Sequence, residues 1–110
     1  MEDLWAQIRE LRGRDERRSG APDEVKELLL VTKVSEEANE AAELYRRMKG
    51  WGTDGVVSAT LPEVQDEICA AIMAGMVALD RLSPDGSADG VWRSYLKYGY
   101  DRAKKENAAS

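Results

Sequence analysis

The chain of 110 residues has no histidine and no phenylalanine, a single cysteine and three prolines. Without histidine there can be no Ser-His-Asp or Cys-His nucleophile system, and most zinc-ligand sets are excluded. Hydrolytic chemistry would have to rest on carboxylates. With one cysteine no intrachain disulfide can form, and because Cys69 lies in the apolar run from Ile68 to Leu79 it is expected to be a core thiol. A lone thiol fits a reducing cytoplasm. The first residues, Met1-Glu2-Asp3-Leu4-Trp5, are acidic and lack the basic-then-apolar order of a secretory leader, and the apolar run is too short to span a bilayer. Internal repeats and low-complexity stretches are also absent.

What is present is 43% hydrophobic residues, enough at this length for one modest core. Sixteen basic and 21 acidic side chains give a net charge of -5, a field that repels polyanions. Neither nucleic acid nor an anionic membrane is therefore an expected partner, and a phosphate ligand would need metal ions.

Glycine, proline and serine clusters divide the chain into four segments of helical periodicity, predicting one all-α domain over 1–110 with loops at 18–22, 49–60 and 83–88 and a frayed tail at 106–110. The first helix is expected from about Glu2 to Arg17, with Leu4, Trp5, Ile8 and Leu11 on one face. The second runs from Pro22 or Asp23 to about Met48, with Val34, Ala38, Ala41, Tyr45 and Met48 spaced as an apolar stripe. Thr60-Leu61-Pro62-Glu63 has the spacing of a capping box and opens a third helix lasting to about Leu82. The fourth, from about Asp89 to Lys105, carries Trp92, Tyr95, Leu96, Gly99 and Ala103 on one side. Trp5 and Trp92 are expected in the core.

Between Ile68 and Leu79 the third helix is apolar all the way round, so it has to be covered on every side. Three neighbours in one short chain are too few for that. Small residues at Ala70, Ala71, Ala74, Gly75 and Ala78 would also admit a close helix, so a homo-oligomer with this helix near its interface is expected, as dimer or tetramer.

Glu36, Glu37, Glu40 and Glu43 fall within an arc of roughly 120° on the second helix at ~100° per residue, with Glu37 nearest the apolar stripe. On its own such a face is ordinarily solvated. A second acidic group, Glu63, Asp66 and Glu67, stands at the entrance of the third helix, which a loop of about a dozen residues should bring back antiparallel to the second. Carboxylates this dense repel one another unless a cation binds, and Mg²⁺ takes oxygen ligands while keeping several waters.

The run Lys33-Val34-Ser35-Glu36-Glu37-Ala38-Asn39-Glu40 resembles the EExxE motif of the MazG-like nucleotide pyrophosphohydrolases, and Glu67-Ile68-Cys69-Ala70-Ala71-Ile72 resembles the family's second motif, ExxD followed by apolar residues. The likeness covers residues 22–82. It implies a four-helix antiparallel bundle of the all-α NTP pyrophosphatase type, completed by oligomerisation. It also implies Mg²⁺, or Mn²⁺, as cofactor and hydrolysis of a nucleoside triphosphate to monophosphate and pyrophosphate. Carried over residue by residue, it makes Glu36, Glu37, Glu40 and Glu67 metal ligands, with Glu37 or Glu40 acting on the attacking water.

One position departs from the motif. In the Glu67 register the aspartate is replaced by Ala70, which cannot bind metal; in the alternative register Glu63-Val64-Gln65-Asp66 satisfies ExxD but puts Glu67 where the family has a buried apolar residue. The Glu67 register is preferred, with Glu63 and Asp66 kept as candidate ligands. Lys33, Lys97 and Arg102 are candidates for phosphate contacts, and Trp51 for stacking on a base. The competing readings are a catalytically degenerate nucleotide- or metal-binding module, which Ala70 favours, and a purely structural helical oligomer.

Overall fold

The computed structural model describes residues 3–109, with side-chain surroundings through 108. All regular structure is helical: α1 (Leu4–Arg18), α2 (Asp23–Lys49), α3 (Leu61–Arg81), a short 3₁₀ turn (Pro84–Gly86) and α4 (Ala88–Ala109). Among the described residues no helix is long and apolar enough to cross a membrane.

Local chemistry sets the ends of these helices. The Asp3 carboxylate accepts a hydrogen bond from the Trp5 backbone N–H at 3.0 Å and caps α1. The expected start at Glu2 lies outside the described residues. Pro22 precedes α2, which opens on Asp23 and Glu24 and closes on Arg46, Arg47 and Lys49, the charge order that complements a helix dipole. Gly50 ends it at φ 72°, where a Cβ would come within 3.1 Å of the Gly55 carbonyl oxygen, so no other residue fits this turn without strain. The capping box at Thr60 forms as its spacing predicts: Thr60 Oγ1 accepts from the Glu63 N–H, and the Glu63 carboxylate accepts from the Thr60 N–H.

α2 and α3 form an antiparallel hairpin, the main packing interaction of the fold. Arg47 donates to the Ser58 hydroxyl and carbonyl at 3.1 Å each, and Arg81 donates to Glu27 at 3.2 Å at the other end. The first contact ties α2 to the loop before α3, and the second joins α2 to the far end of α3. The inward residues of α2 are Leu30, Val34, Glu37, Ala41, Leu44 and Met48, whereas Ala38 and Tyr45 are exposed. The expected stripe is thus corrected at two positions, Ala38 and Tyr45: the side packed on α3 takes in Leu44 instead, together with Glu37, the acid expected nearest the stripe.

α1 crosses α3 at its C-terminal half. Trp5, Ile8, Val77 and Ala88 form the small core, with Leu30, Met76 and Leu79 against it. Beside the core Arg12 donates to the buried Asp80 carboxylate at 2.7 Å and to Glu16 at 3.1 Å, and Arg81 donates to Glu16 at 2.7 Å. With the Arg81–Glu27 contact, three helices are joined by one ion-pair network.

α4 behaves differently. Its first turn is anchored, with Ala88 buried and Asp89 accepting from Trp5 Nε1 at 3.0 Å, but of residues 90–108 only Asp101 is better than exposed. The radius of gyration is 17.5 Å, against about 13 Å for a compact chain of this length. The helix stands away from the body. Trp92, expected in the core, is therefore 46% exposed, and the tail expected at 106–110 is helical to Ala109. Cys69 is likewise exposed rather than a core thiol, because the outer face of α3 carries nothing in the single chain. Ile68, Ile72 and Met73 are exposed there for the same reason.

Candidate functional site

The α2–α3 register brings Glu37 and Glu40, one helical turn apart, opposite Glu67. One oxygen from each of the three carboxylates lies within 4.8 Å of the others. Glu37 and Glu67 are half-buried and Glu40 is exposed. Oε2 of Glu67 is shielded from solvent and, with its neighbours ionised, has no hydrogen-bond partner. A proton shared with Glu37 would satisfy it, and that hydrogen bond, together with desolvation and the charges of Glu37 and Glu40, raises the Glu67 carboxyl above its ordinary value. The arrangement therefore favours whatever positive species comes between the acids, a proton or a metal ion.

The other acids of the two patches are engaged differently. Glu63 is committed to the capping box, where it also accepts from Thr60 Oγ1 at 3.0 Å. Glu43 pairs with Arg46 at 2.9 Å. Glu36 and Asp66 are exposed and do not join the trio. Position 70 lies one turn along α3 from Glu67, and Ala70 lines a cavity of about 90 Å³ together with Glu37, Lys33, Asp15, Leu30 and Met73. There is space beside Glu37 for a larger side chain at that position.

The candidate substrate contacts are dispersed. Lys33 borders the same cavity as Glu37. Trp51 is exposed in the loop after α2, edge-on to Tyr45 with ring centres 5.8 Å apart. Lys97 and Arg102 lie on the projecting α4, paired within it to Asp101 at 2.6 Å and Glu106 at 3.0 Å, and the hydrogen bond to Asp101 raises the Lys97 ammonium above its usual value. In the single chain the last two are not brought to the trio. Asp15, which joins the cavity from α1, escaped sequence reasoning because nothing local to it signals a site.

Comparison with protein-family models, curated proteins and solved structures finds no match.

Proposed function

We propose that the chain is a Mg²⁺-dependent nucleoside triphosphate pyrophosphohydrolase of the MazG-like kind, an antiparallel helical bundle completed by further copies of itself, with Glu37, Glu40 and Glu67 holding the metal. The observation that carries this reading is a Glu67 carboxylate with a shielded oxygen lacking a partner, gathered within 4.8 Å of two more carboxylates from the facing helix. Withdrawing a carboxylate oxygen from water without a hydrogen bond is unfavourable, and a divalent cation with oxygen ligands satisfies all three acids at once. The residues present fit Mg²⁺ or Mn²⁺, while a set with neither nitrogen nor sulfur gives zinc no preference.

Bound Mg²⁺ supplies neutralisation of phosphate charge and a more acidic water. The remaining work falls to side chains of the chain. Glu37 or Glu40 orients the attacking water or takes its proton, and Lys33 is the basic group nearest to hand for a phosphate oxygen. Ala70 supports a second reading, a nucleotide- or metal-binding module without turnover, because the wall of the cavity beside Glu37 offers methyl where the resembling motif offers carboxylate.

Incubation with a panel of nucleoside triphosphates and Mg²⁺ tests the choice. Release of pyrophosphate with the monophosphate is the expected product. Phosphate release contradicts the bond assignment, and metal-dependent nucleotide binding with no product establishes the second reading.

A further inference from the structure

Two unsatisfied apolar surfaces lie in one chain. The first is a groove of about 560 Å³ lined by Leu4 and Trp5 of α1 and by Ile72, Gly75, Met76 and Leu79 of α3, with Trp92 as one wall. The second is the stripe on α4 that continues from Trp92 through Tyr95, Leu96, Gly99 and Ala103 at helical spacing, exposed along its length. Beyond Trp92 the chain cannot bring its own stripe to its own groove. α4 is one helix of about 33 Å at 1.5 Å per residue, its first turn is pinned by Ala88 and by the Trp5–Asp89 hydrogen bond, and its continuation carries it away from α3.

Charge divides along the same line. Ala88–Ala109 carries five lysines and arginines against three acids, while the rest of the chain carries 11 against 18. A basic arm with an apolar stripe thus projects from an acidic body with an apolar groove. We propose that α4 is an exchanged arm: in a two-fold dimer the stripe of each α4 lies on the partner's α3, along Ile68, Ile72 and Gly75, and closes the partner's groove. A two-fold axis makes the contact reciprocal, so both apolar surfaces of both copies are covered by one interaction. The arm's excess positive charge then lies against the partner's acidic body. This rests on the self-assembly part of the proposed function and is independent of its metal chemistry.

The sole native thiol, exposed on α3 beside Ile68 and Ile72, reports the contact. Tyr95→Cys, Gly99→Cys and Ala103→Cys are made singly in the full chain, with Asp101→Cys on the opposite side of α4 as control. Equal amounts of isotopically light and heavy chain are mixed, oxidised at micromolar concentration and mapped by mass spectrometry. The expected result is a disulfide from Cys69 of one chain to the new cysteine of another, formed at least tenfold faster at one or more stripe positions than at 101. Crosslinks within one chain only, or equal rates on the two sides of the helix, overturn the proposal. Leu96→Glu gives a second readout, because Leu96 is 54% exposed in its own chain and the change leaves that chain's packing intact. The parent should sediment as a dimer and the variant as a monomer of unchanged helicity. A dimer that survives Leu96→Glu overturns the arm while leaving self-assembly standing, and a monomeric parent overturns both. Neither outcome touches the Mg²⁺ reading, which melting curves follow separately.

Discussion

The α2–α3 hairpin carries two carboxylate clusters that differ in one respect. Toward its open end Asp80, Glu16 and Glu27 are interleaved with Arg9, Arg12 and Arg81, so that three helices share a network of alternating sign. Midway along, Glu37, Glu40 and Glu67 bring one oxygen each within 4.8 Å of the others, and among the described residues no lysine or arginine forms an ion pair with them. In the first cluster every acid faces an arginine, although the buried Asp80 Oδ1 has Arg9 only at 3.7 Å and accepts no hydrogen bond, and the cluster serves to hold α1 on the hairpin. The second has the same ligand chemistry and no cation. A chain that can neutralise one acidic group with arginine and leaves another bare keeps the bare one at a cost in stability, and under the proposed function Mg²⁺ offsets that cost.

Breaking the paired cluster should have the largest effect. Arg12→Ala strips the 2.7 Å partner from Asp80, whose side chain is 1% exposed, and takes one donor from Glu16. Removing one member of a buried ion pair costs about 3–5 kcal/mol, so a loss of that order is expected in denaturant unfolding. A loss under about 1 kcal/mol, the range of exposed pairs, would show that Arg9 or water takes over and that the two clusters differ less than their geometry indicates.

Ala70→Asp sharpens the contrast from the other side. It adds a fourth carboxyl at the cavity beside Glu37, so in chelator the variant should melt below the parent. In millimolar Mg²⁺ it should recover, bind the ion more tightly and turn over nucleotide faster. Equal destabilisation with and without Mg²⁺ and unchanged activity, together with loss of activity in Glu63→Gln or Asp66→Asn, would assign the second half of the site to Glu63 and Asp66 instead.

The clusters should also respond to pH with opposite sign. Burial acts to raise the Glu16 carboxyl, but hydrogen bonds from Arg12 and Arg81 outweigh it and hold the group below its ordinary 4.5. Its contribution is therefore complete above that value and is lost as pH falls through the lowered one. Glu67 is raised above 4.5, so its protonated form stabilises the fold at low pH and that stabilisation is lost as pH rises through the raised value. Melting temperature in chelator should accordingly increase as pH is lowered from neutral toward 4.5 and decrease below it. Glu67→Gln should flatten the first limb and Glu16→Gln the second; unchanged limbs would contradict the assignment.

The smallest expected effect belongs to the cap that opens α3. Thr60→Ala removes the acceptor for the Glu63 N–H, an N-cap worth about 1 kcal/mol. The loss should appear in denaturant unfolding without change in Mg²⁺ response. A lost Mg²⁺ response would tie Glu63 to the site.

What could be seen in the sequence divides by distance along the chain. The capping box, the glycine that ends α2 and the four helices depend on neighbours within a few residues, and each forms where those residues place it. The acid trio was partly legible, since EExxE and the glutamate opening an apolar helix name its members. Separating Glu36, Glu63 and Asp66 from the trio required the α2–α3 register, which periodicity within each helix does not encode. The arginine network was invisible because Arg12 and Asp80 stand 68 residues apart. Amphipathic patterning put Glu37 nearest the apolar stripe, and Glu37 is half-buried against α3; it was Ala38 and Tyr45 that the pattern turned inward and the structure leaves exposed. On α4 the stripe could be read, but not that it would face solvent in the single chain.

The central claim, that the bare cluster is a cation site, is tested most directly by melting the protein across a Mg²⁺ titration from chelator upward, with Glu40→Gln and Glu43→Gln in parallel. Because an ion that binds only the folded state raises its stability with concentration, the parent's melting temperature should climb with Mg²⁺. Glu43→Gln, whose parent side chain pairs with Arg46, should follow the parent, while Glu40→Gln should start higher in chelator and respond little. Superimposable curves in chelator and in millimolar Mg²⁺, or equal responses from the two variants, would contradict the claim.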